Sequence, residues 1–215
     1  GKRKMTLVAK IAVAVAVACA VYFLTFHIGK MIFHLDYHHA YGYIGAMLFV
    51  IPGFPFITSG LDMSKLDMRS GLERMTYALL IITIATMSGW AVATILNLHP
   101  GSMLKLSINP GMLTFLRLIA SFCGVFGFSI MFNSRPNMAA TAAIMGAMAN
   151  TLRLSLVDYA HMAPALAAFI GALVSGLLAS IVRQKVGFPR IAITVPSIVI
   201  MVPGLYMYRA VFNFG

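Results

Sequence analysis

The chain has 215 residues, of which 60% are hydrophobic and only 10% are charged, and its mean hydropathy is +0.91. One soluble core cannot hide so much apolar surface, so the composition predicts a polytopic α-helical membrane protein, and the long unbroken apolar runs exclude a β-barrel. The formal net charge of +11 comes from Lys and Arg between apolar runs, with no stripe beside exposed aromatics, which argues against a nucleic-acid partner.

The first predicted span runs from about Met5 to Ile28 and follows a basic start, Lys2–Lys4. It is too long for a signal peptide and no small-residue cleavage site ends it cleanly, so we expect a retained helix. The next loop carries four residues of types that bind zinc or nickel: His34, Asp36, His38 and His39. Their spacing fits no standard motif, so an interfacial loop is favoured over a metal site.

The second span, from about Tyr41 to Leu61, is interrupted by Pro52, Gly53 and Pro55. Each proline removes a backbone donor and crowds the carbonyl four residues earlier, so the helix should kink or unwind. In a membrane such a break is tolerated only where it faces protein or a water-filled cavity.

A charged segment at 62–74 follows, read as a short loop with a helical turn. The remaining predicted spans cover residues 75–98, 112–132, 137–152, 162–182 and 191–212. The Pro/Gly/Asn-rich linker at 99–111 divides a first repeat of three helices, residues 1–98, from a second repeat of four, residues 112–215. The second repeat lacks a counterpart of the last span, so we expect a fragment of a longer protein.

Small residues recur at helical spacing in the fifth and sixth spans, which predicts close helix packing in lipid. The ridges are Ala139, Ala143 and Ala147; Ala142, Gly146 and Asn150; and Ala168, Ala172 and Gly176. The two cysteines, Cys19 and Cys123, fall in the middle of apolar runs and are interpreted as small core residues and not as a disulfide or metal site.

The helix break occurs twice, because Val202-Pro203-Gly204 matches the first break at a shift of 151 residues. The alternative is a chance match, since Pro and Gly are frequent in transmembrane helices. Ten Lys and Arg fall on one side of the predicted spans and four on the other, which predicts a cytoplasmic N-terminus. With that orientation the two halves are inverted repeats, the arrangement typical of transporters with a site near the midplane.

Short motifs in both halves resemble the threonine/serine exporter family. In the first half they are Pro52-Gly53-Phe54-Pro55, Thr58, Gly60, Leu61-Asp62 and Ser70-Gly71-Leu72-Glu73-Arg74. In the second half they are Phe128, Phe132-Asn133, Arg135-Pro136, Arg153, Phe188-Pro189, Pro196 and Val202-Pro203-Gly204-Leu205-Tyr206. The resemblance implies ten spans in two groups of five, a soluble segment ahead of them, and proton-driven export of small amino acids. Relatives that work as two subunits are associated with dicarboxylate export, so that substrate class stays open.

A transported zwitterion needs partners for its carboxylate and its ammonium, and helix breaks supply backbone groups for both. The predicted substrate-binding residues are Pro52, Gly53, Thr58, Pro203, Gly204, Tyr206 and Arg209, and the predicted proton-coupling residues are Asp62 and Arg74. The alternatives are a structural kink, an Asp62 that merely pairs with Lys65 or Arg74, and an Arg209 that snorkels to the interface.

The favoured function is therefore a secondary active exporter in the inner (plasma) membrane, with a small molecule, protons and the lipid bilayer as partners. A homo-oligomer is compatible with the sequence, and no cofactor is expected. A channel or scaffold subunit stays open, whereas an intramembrane enzyme or an ATP-driven pump is disfavoured because their usual motifs do not occur.

Overall fold

The computed structural model describes residues 6–33, 42–96, 108–202, 204 and 206, with the backbone alone at 185 and 186. The helices are α1 (Leu7–Phe33), α2 (Gly42–Met47), α3 (Gly53–Ser64), α4 (Met68–Ile95), α5 (Pro110–Met131), α6 (Pro136–Asp158), α7 (Pro164–Val186) and α8 (Arg190–Val199). A 3₁₀ turn, Leu48–Val50, follows α2 directly. No strand occurs in these ranges, so the predicted all-α class is confirmed.

Of the described helices, five are long and apolar enough to cross a membrane: α1, α4, α5, α6 and α7. The segments Gly42–Val50 and Gly53–Ser64 together pass the same test but meet at a bend of 50°, which confirms the predicted broken span. Of the seventh predicted span only α8, a shorter apolar helix, and a few residues after it are described. The histidine-rich loop at 34–39 lies outside the described residues.

Two helix boundaries differ from the prediction. The charged segment at 62–74 is mostly helical, because Asp67 caps α4 by accepting a hydrogen bond from the Ser70 N–H (3.3 Å) and the non-helical turn shrinks to 65–67. The fifth span does not end at Leu152, since α6 continues to Asp158. Arg153 is accommodated inside this helix because its guanidinium has a hydrogen-bond acceptor in the protein.

The chain forms two compact units. Unit 1 contains α1 to α4 with Gly204 and Tyr206, and unit 2 contains α5 to α8. The core of unit 1 lies between α1, α2 and α4 and includes Val15, Cys19, Tyr43 and Met47. A Cβ atom at position 42 would overlap the ring of Tyr22, which would have to move, so α2 starts directly against α1.

In unit 2, α6 packs against α5, α7 and α8. The two predicted ridges of α6 are buried, from Ala139 to Asn150, and only one face, with Ile144 and Met148, is exposed. The predicted ridge of α7 is displaced by one residue. The buried residues are Ala167, Gly171, Ser175 and Ala179, whereas Ala168, Ala172 and Gly176 are half-buried at its side.

The prediction for the cysteines was right for one of them. Cys19 is fully buried, with its Sγ 3.7 Å from the carbonyl oxygen of Tyr43. Cys123 was wrongly assigned to the core and lies on the exposed face of α5, because a helix that crosses a membrane is apolar on its lipid side as well.

Candidate functional site

The first helix break lies between the 3₁₀ turn and α3, and both Pro52 and Gly53 are buried. The Ile51 N–H donates to the carbonyl of Leu48 (3.1 Å), which closes the 3₁₀ turn. The Gly53 N–H donates to the Ile51 carbonyl (2.8 Å), and Pro55 has no N–H to offer. The start of α3 therefore has fewer uncommitted backbone donors than an ordinary helix N-terminus, where four N–H groups lack partners.

The predicted hydroxyl, Thr58, is buried one turn into α3. It donates to the carbonyls of Phe54 (3.0 Å) and Pro55 (3.2 Å), so its proton is bound within its own helix while its oxygen lone pairs can still accept. Its neighbour Ser59, which sequence reasoning missed, is fully buried and donates to the Gly71 carbonyl of α4 (2.9 Å).

Gly71 allows α3 and α4 to touch. A Cβ atom at this position would lie 3.2 Å from the Ser59 carbonyl oxygen and would overlap the side chain of Met63. A larger residue would push the helices apart, so the glycine in the Ser-Gly-Leu-Glu-Arg motif serves close packing. The same contact sets the distance between the two charged groups one turn further along each helix.

The predicted coupling residues, Asp62 and Arg74, are brought together by this packing. Nε of Arg74 lies 3.2 Å from Oδ2 of Asp62, and the Asp62 side chain is 23% exposed. The contact is an ion pair without an aligned hydrogen bond: Oδ2 is buried, and no described donor points at it with hydrogen-bond geometry. Of the two partners considered for Asp62, the described ion pair joins it to Arg74.

The residues before the second Pro-Gly pair repeat the hydrogen bonding found before the first. After α8, the Val202 N–H donates to the Val199 carbonyl (3.1 Å). At the shift of 151 residues that aligns the Pro-Gly pairs, Val202 and Val199 correspond to Ile51 and Leu48. The hydrogen bond between Ile51 and Leu48 has the same length. Both helices thus tighten into a 3₁₀ turn at equivalent positions before Pro-Gly.

Two side chains connect α8 and the residues after it to α6. Nη1 of Arg153 donates to the Met201 carbonyl (3.1 Å), one of the groups that the end of α8 leaves without a helical partner. The Ser197 hydroxyl reaches the carbonyls of Ala142 (3.0 Å) and Ile193 (2.7 Å). The sequence suggested that Arg153 pairs with Asp158 across a short external loop, whereas the described ion pair of Asp158 is with Arg117. An arginine within an apolar stretch is a signal of function or of a satisfied backbone group.

The other predicted binding residues are less completely described. Gly204 is buried in unit 1, where a Cβ atom would lie 2.7 Å from Cδ1 of Ile51 and 2.9 Å from Cδ2 of Leu48. Gly204 therefore sits against the first break. Tyr206 is 56% exposed. Pro203 and Arg209 lie outside the described residues.

Unit 2 has a polar interior between its apolar helices. Nδ2 of Asn150 donates to Oγ of Ser121 (2.9 Å), and Nη2 of Arg117 lies 2.6 Å from Oδ2 of Asp158. In the described part of this unit, the buried polar atoms without a protein hydrogen-bond partner are Arg117 Nη1, Ser129 Oγ, Asn150 Oδ1, Thr151 Oγ1 and Ser175 Oγ. Arg117 and its pairing with Asp158 were not predicted.

The part of the chain that the structure describes shows no metal site, and the pocket found there is apolar. Among the described residues no three His, Cys, Asp or Glu side chains converge on one point. A groove of about 260 Å³ on unit 2 is lined almost entirely by apolar atoms, which suits lipid and not a zwitterion: Leu118, Ile119, Phe122, Ile144, Ala147 and Met148.

The comparisons with known proteins identify a family for both halves of the chain. Family models described as threonine/serine exporters match residues 1–97 and residues 117–215, one on each side of the linker. No curated protein and no solved structure gives a significant match to the chain. The two family matches together cover nearly the whole sequence, and the chain belongs to the threonine/serine exporter family of multi-pass membrane transporters.

Proposed function

We propose that this protein is a secondary active exporter of small amino acids such as threonine and serine, driven by protons across the inner (plasma) membrane. Its N-terminus is cytoplasmic, and its two repeats have opposite orientations. The observation that carries the proposal is the same 3₁₀ hydrogen bond before each of the two Pro-Gly pairs, together with the bend at the first of them. Two broken helices in corresponding positions are typical of transporters that bind their substrate at the repeat interface.

In this proposal the breaks bind the substrate. Backbone groups near Pro52 and Gly53 in one repeat, and near Pro203 and Gly204 in the other, contact its charged ends. Thr58 and Tyr206 contribute hydroxyl groups, and Arg209 contributes a cation. The burial of Pro52 and Gly53 supports this role, because the polar backbone groups of a break that faces protein are shielded from lipid when no ligand is bound.

Asp62 and Arg74 couple transport to protons. A carboxylate paired with one guanidinium can exchange that partner for a proton, and the α3–α4 contact joins such an exchange to the broken span. An acidic group inside or at the edge of a membrane span is costly and is therefore a candidate for proton transfer.

Transport by the purified chain in proteoliposomes tests the proposal. Labelled threonine, serine and succinate are compared in counterflow, each with and without a pH gradient. We expect counterflow of threonine and serine and an increase of their flux when a proton gradient is imposed. Preference for succinate would instead support a dicarboxylate exporter, and flux without counterflow or gradient dependence would support a channel.

A further inference from the structure

Positive charge is concentrated where α7 ends and α8 begins. Arg183 and Lys185 belong to the last turn of α7, and Arg190 is the first residue of α8. The sequence of unit 2 contains one acidic residue, Asp158, which ends α6 and pairs with Arg117. The junction of α7 and α8 therefore carries three cations that no acidic residue of the same unit neutralises.

The side chain of Arg190 runs along α7, away from the end of the span. Its Nη2 atom lies 3.9 Å from the position that a Cβ atom on Gly176 would occupy. Gly176 precedes Val186, the last residue of α7, by ten residues, or about 15 Å along the helix axis. An arginine at the end of a span usually turns its charge outward to water, so the inward position of this guanidinium is costly unless an anion accompanies it.

Arg190 has no carboxylate partner in the part of the chain that the structure describes. The ion pairs found there are Arg69–Glu73, Arg74–Asp62 and Arg117–Asp158. Arg183 and Arg190 are both exposed, so an anion can approach them from outside the helix bundle. The charge of Arg190 is thus available to a ligand at the protein surface.

The surface around the two arginines is that of a lipid-facing helix. Leu177 is 55% exposed, Ile181 is 62% exposed and Ile191 is 51% exposed. Because α7 is long and apolar enough to cross a membrane, its exposed apolar side chains contact acyl chains. An anionic phospholipid matches both features, since it carries a negative charge and apolar chains. A soluble anion would match only the arginines.

The two guanidinium groups lie within reach of one phosphate. Arg183 and Gly176 share one side of α7, because seven residues make almost two full turns, and they are about 10.5 Å apart along the axis. The half-buried Ser180 lies between them. Side chains of a helix tilt toward its N-terminus, so Arg183 extends toward Ser180 and toward the guanidinium of Arg190. An extended arginine covers more than half of this distance, and one phosphate bridges the remainder.

We propose that the junction of α7 and α8 binds one anionic phospholipid, with Arg183 and Arg190 on its phosphate and its acyl chains against Leu177 and Ile181. The phosphate lies at the level of Ser180, about 9 Å before the end of α7, so the bilayer is locally thinned there. With the orientation proposed above, this is the cytoplasmic leaflet. The inference goes beyond the export function and does not depend on which substrate is carried.

Native mass spectrometry of the purified full chain tests this site, because it measures the Kd of the first bound lipid. Dioleoyl phosphatidylglycerol is compared with dioleoyl phosphatidylcholine, which has the same chains and no net charge. Arg183→Gln and Arg190→Gln should each weaken binding of phosphatidylglycerol by about fivefold, the effect of one Lys or Arg at an anionic membrane surface. The double variant should lose about 25-fold, which is the preference for phosphatidylglycerol that we expect of the wild type. Binding of phosphatidylcholine should not change, which shows that the variants are folded.

Two control comparisons separate a local site from a general effect of positive charge. Arg69→Gln removes an exposed arginine of α4 and should leave the Kd for phosphatidylglycerol within about twofold of the wild type. Gly176→Leu changes no charge but fills the surface against which the Arg190 guanidinium lies, and it should weaken binding of phosphatidylglycerol. Gly176→Ala should not, because its Cβ atom would be in ordinary contact with that guanidinium at 3.9 Å.

Competition with inorganic phosphate distinguishes a lipid from a soluble anion. Excess phosphate should not displace phosphatidylglycerol, because it lacks the acyl chains that contact α7. Displacement by phosphate would assign the arginines to a soluble anion and refute the lipid site. Equal binding of the two lipids by the wild type would also refute it, as would a loss in Arg69→Gln as large as that in Arg190→Gln. None of these results bears on the proposed export, which the flux measurements test separately.

Discussion

Gly146 lies where α6 crosses α8, and its replacement by valine gives a sharp test of that packing. A Cβ atom at this position would be 2.9 Å from the Ser197 carbonyl oxygen and 2.7 Å from Cγ2 of Val125. The carbonyl belongs to the backbone and cannot rotate away, so the helices must separate. Such overpacking costs about 1–3 kcal/mol, and the better helix propensity of valine returns only about 0.3 kcal/mol.

For a chain of this size each kcal/mol shifts the Tm by about 2–4 °C, so Gly146→Val should lower the apparent Tm by about 2–10 °C. The matched control is Gly127→Val on the exposed side of α5, where a Cβ atom would have no neighbour within 4 Å. Both variants are heated in detergent, and the folded fraction is followed by fluorescence size-exclusion chromatography at one fixed heating rate, because membrane proteins often unfold irreversibly. Equal Tm values for the two variants would refute the crossing geometry.

Three further variants test other parts of the molecule. Asp67→Ala removes the N-cap of α4 and should destabilise the chain by about 1 kcal/mol, seen as a lower apparent Tm; an unchanged Tm would exclude the cap. Asp62→Asn should abolish the response of threonine flux to a proton gradient while counterflow persists, and Glu73→Gln on the exposed face should change neither; gradient-driven flux that survives Asp62→Asn would remove its coupling role. Arg153→Met leaves the backbone carbonyl at the second break without its donor, a cost of about 1–3 kcal/mol, and should speed amide hydrogen exchange after α8, whereas the exposed Arg183→Met should not; equal exchange in both variants would contradict the contact.

The spans and the first break could be predicted because their causes are local. Hydropathy over about 20 residues identifies a span, and a proline interrupts a helix whatever it packs against. The sequence left Lys65 and Arg74 as alternative partners of Asp62 because all three lie in one short charged segment, and the packing of α3 on α4 selects Arg74.

The packing faces and the long-range pairs depend on tertiary contacts that a pattern of residue types does not specify. In α7 the positions directly before the predicted ridge, Ala167, Gly171 and Ser175, are small as well, so Ala167 and Ala168 are equally good candidates. A shift of one residue turns the helix face by about 100°. The end of α6 was predicted too early because a charged residue such as Arg153 usually marks the end of a span. In the structure its guanidinium donates a hydrogen bond to the Met201 carbonyl and the helix continues. The pairing of Arg117 with Asp158 depends on how α5 and α6 align along each other.

The 3₁₀ turn at Leu48–Val50 makes the first broken helix adjustable in length. A 3₁₀ helix rises about 2.0 Å per residue and an α-helix about 1.5 Å, so rewinding these three residues would shorten the segment by about 1.5 Å and rotate it by about 60°. Only a switch of carbonyl partner for one or two N–H groups is needed, with no change in the number of hydrogen bonds. The Val202 N–H makes the same kind of 3₁₀ hydrogen bond, so the segment that ends at Val202 has the same capacity to shorten and rotate.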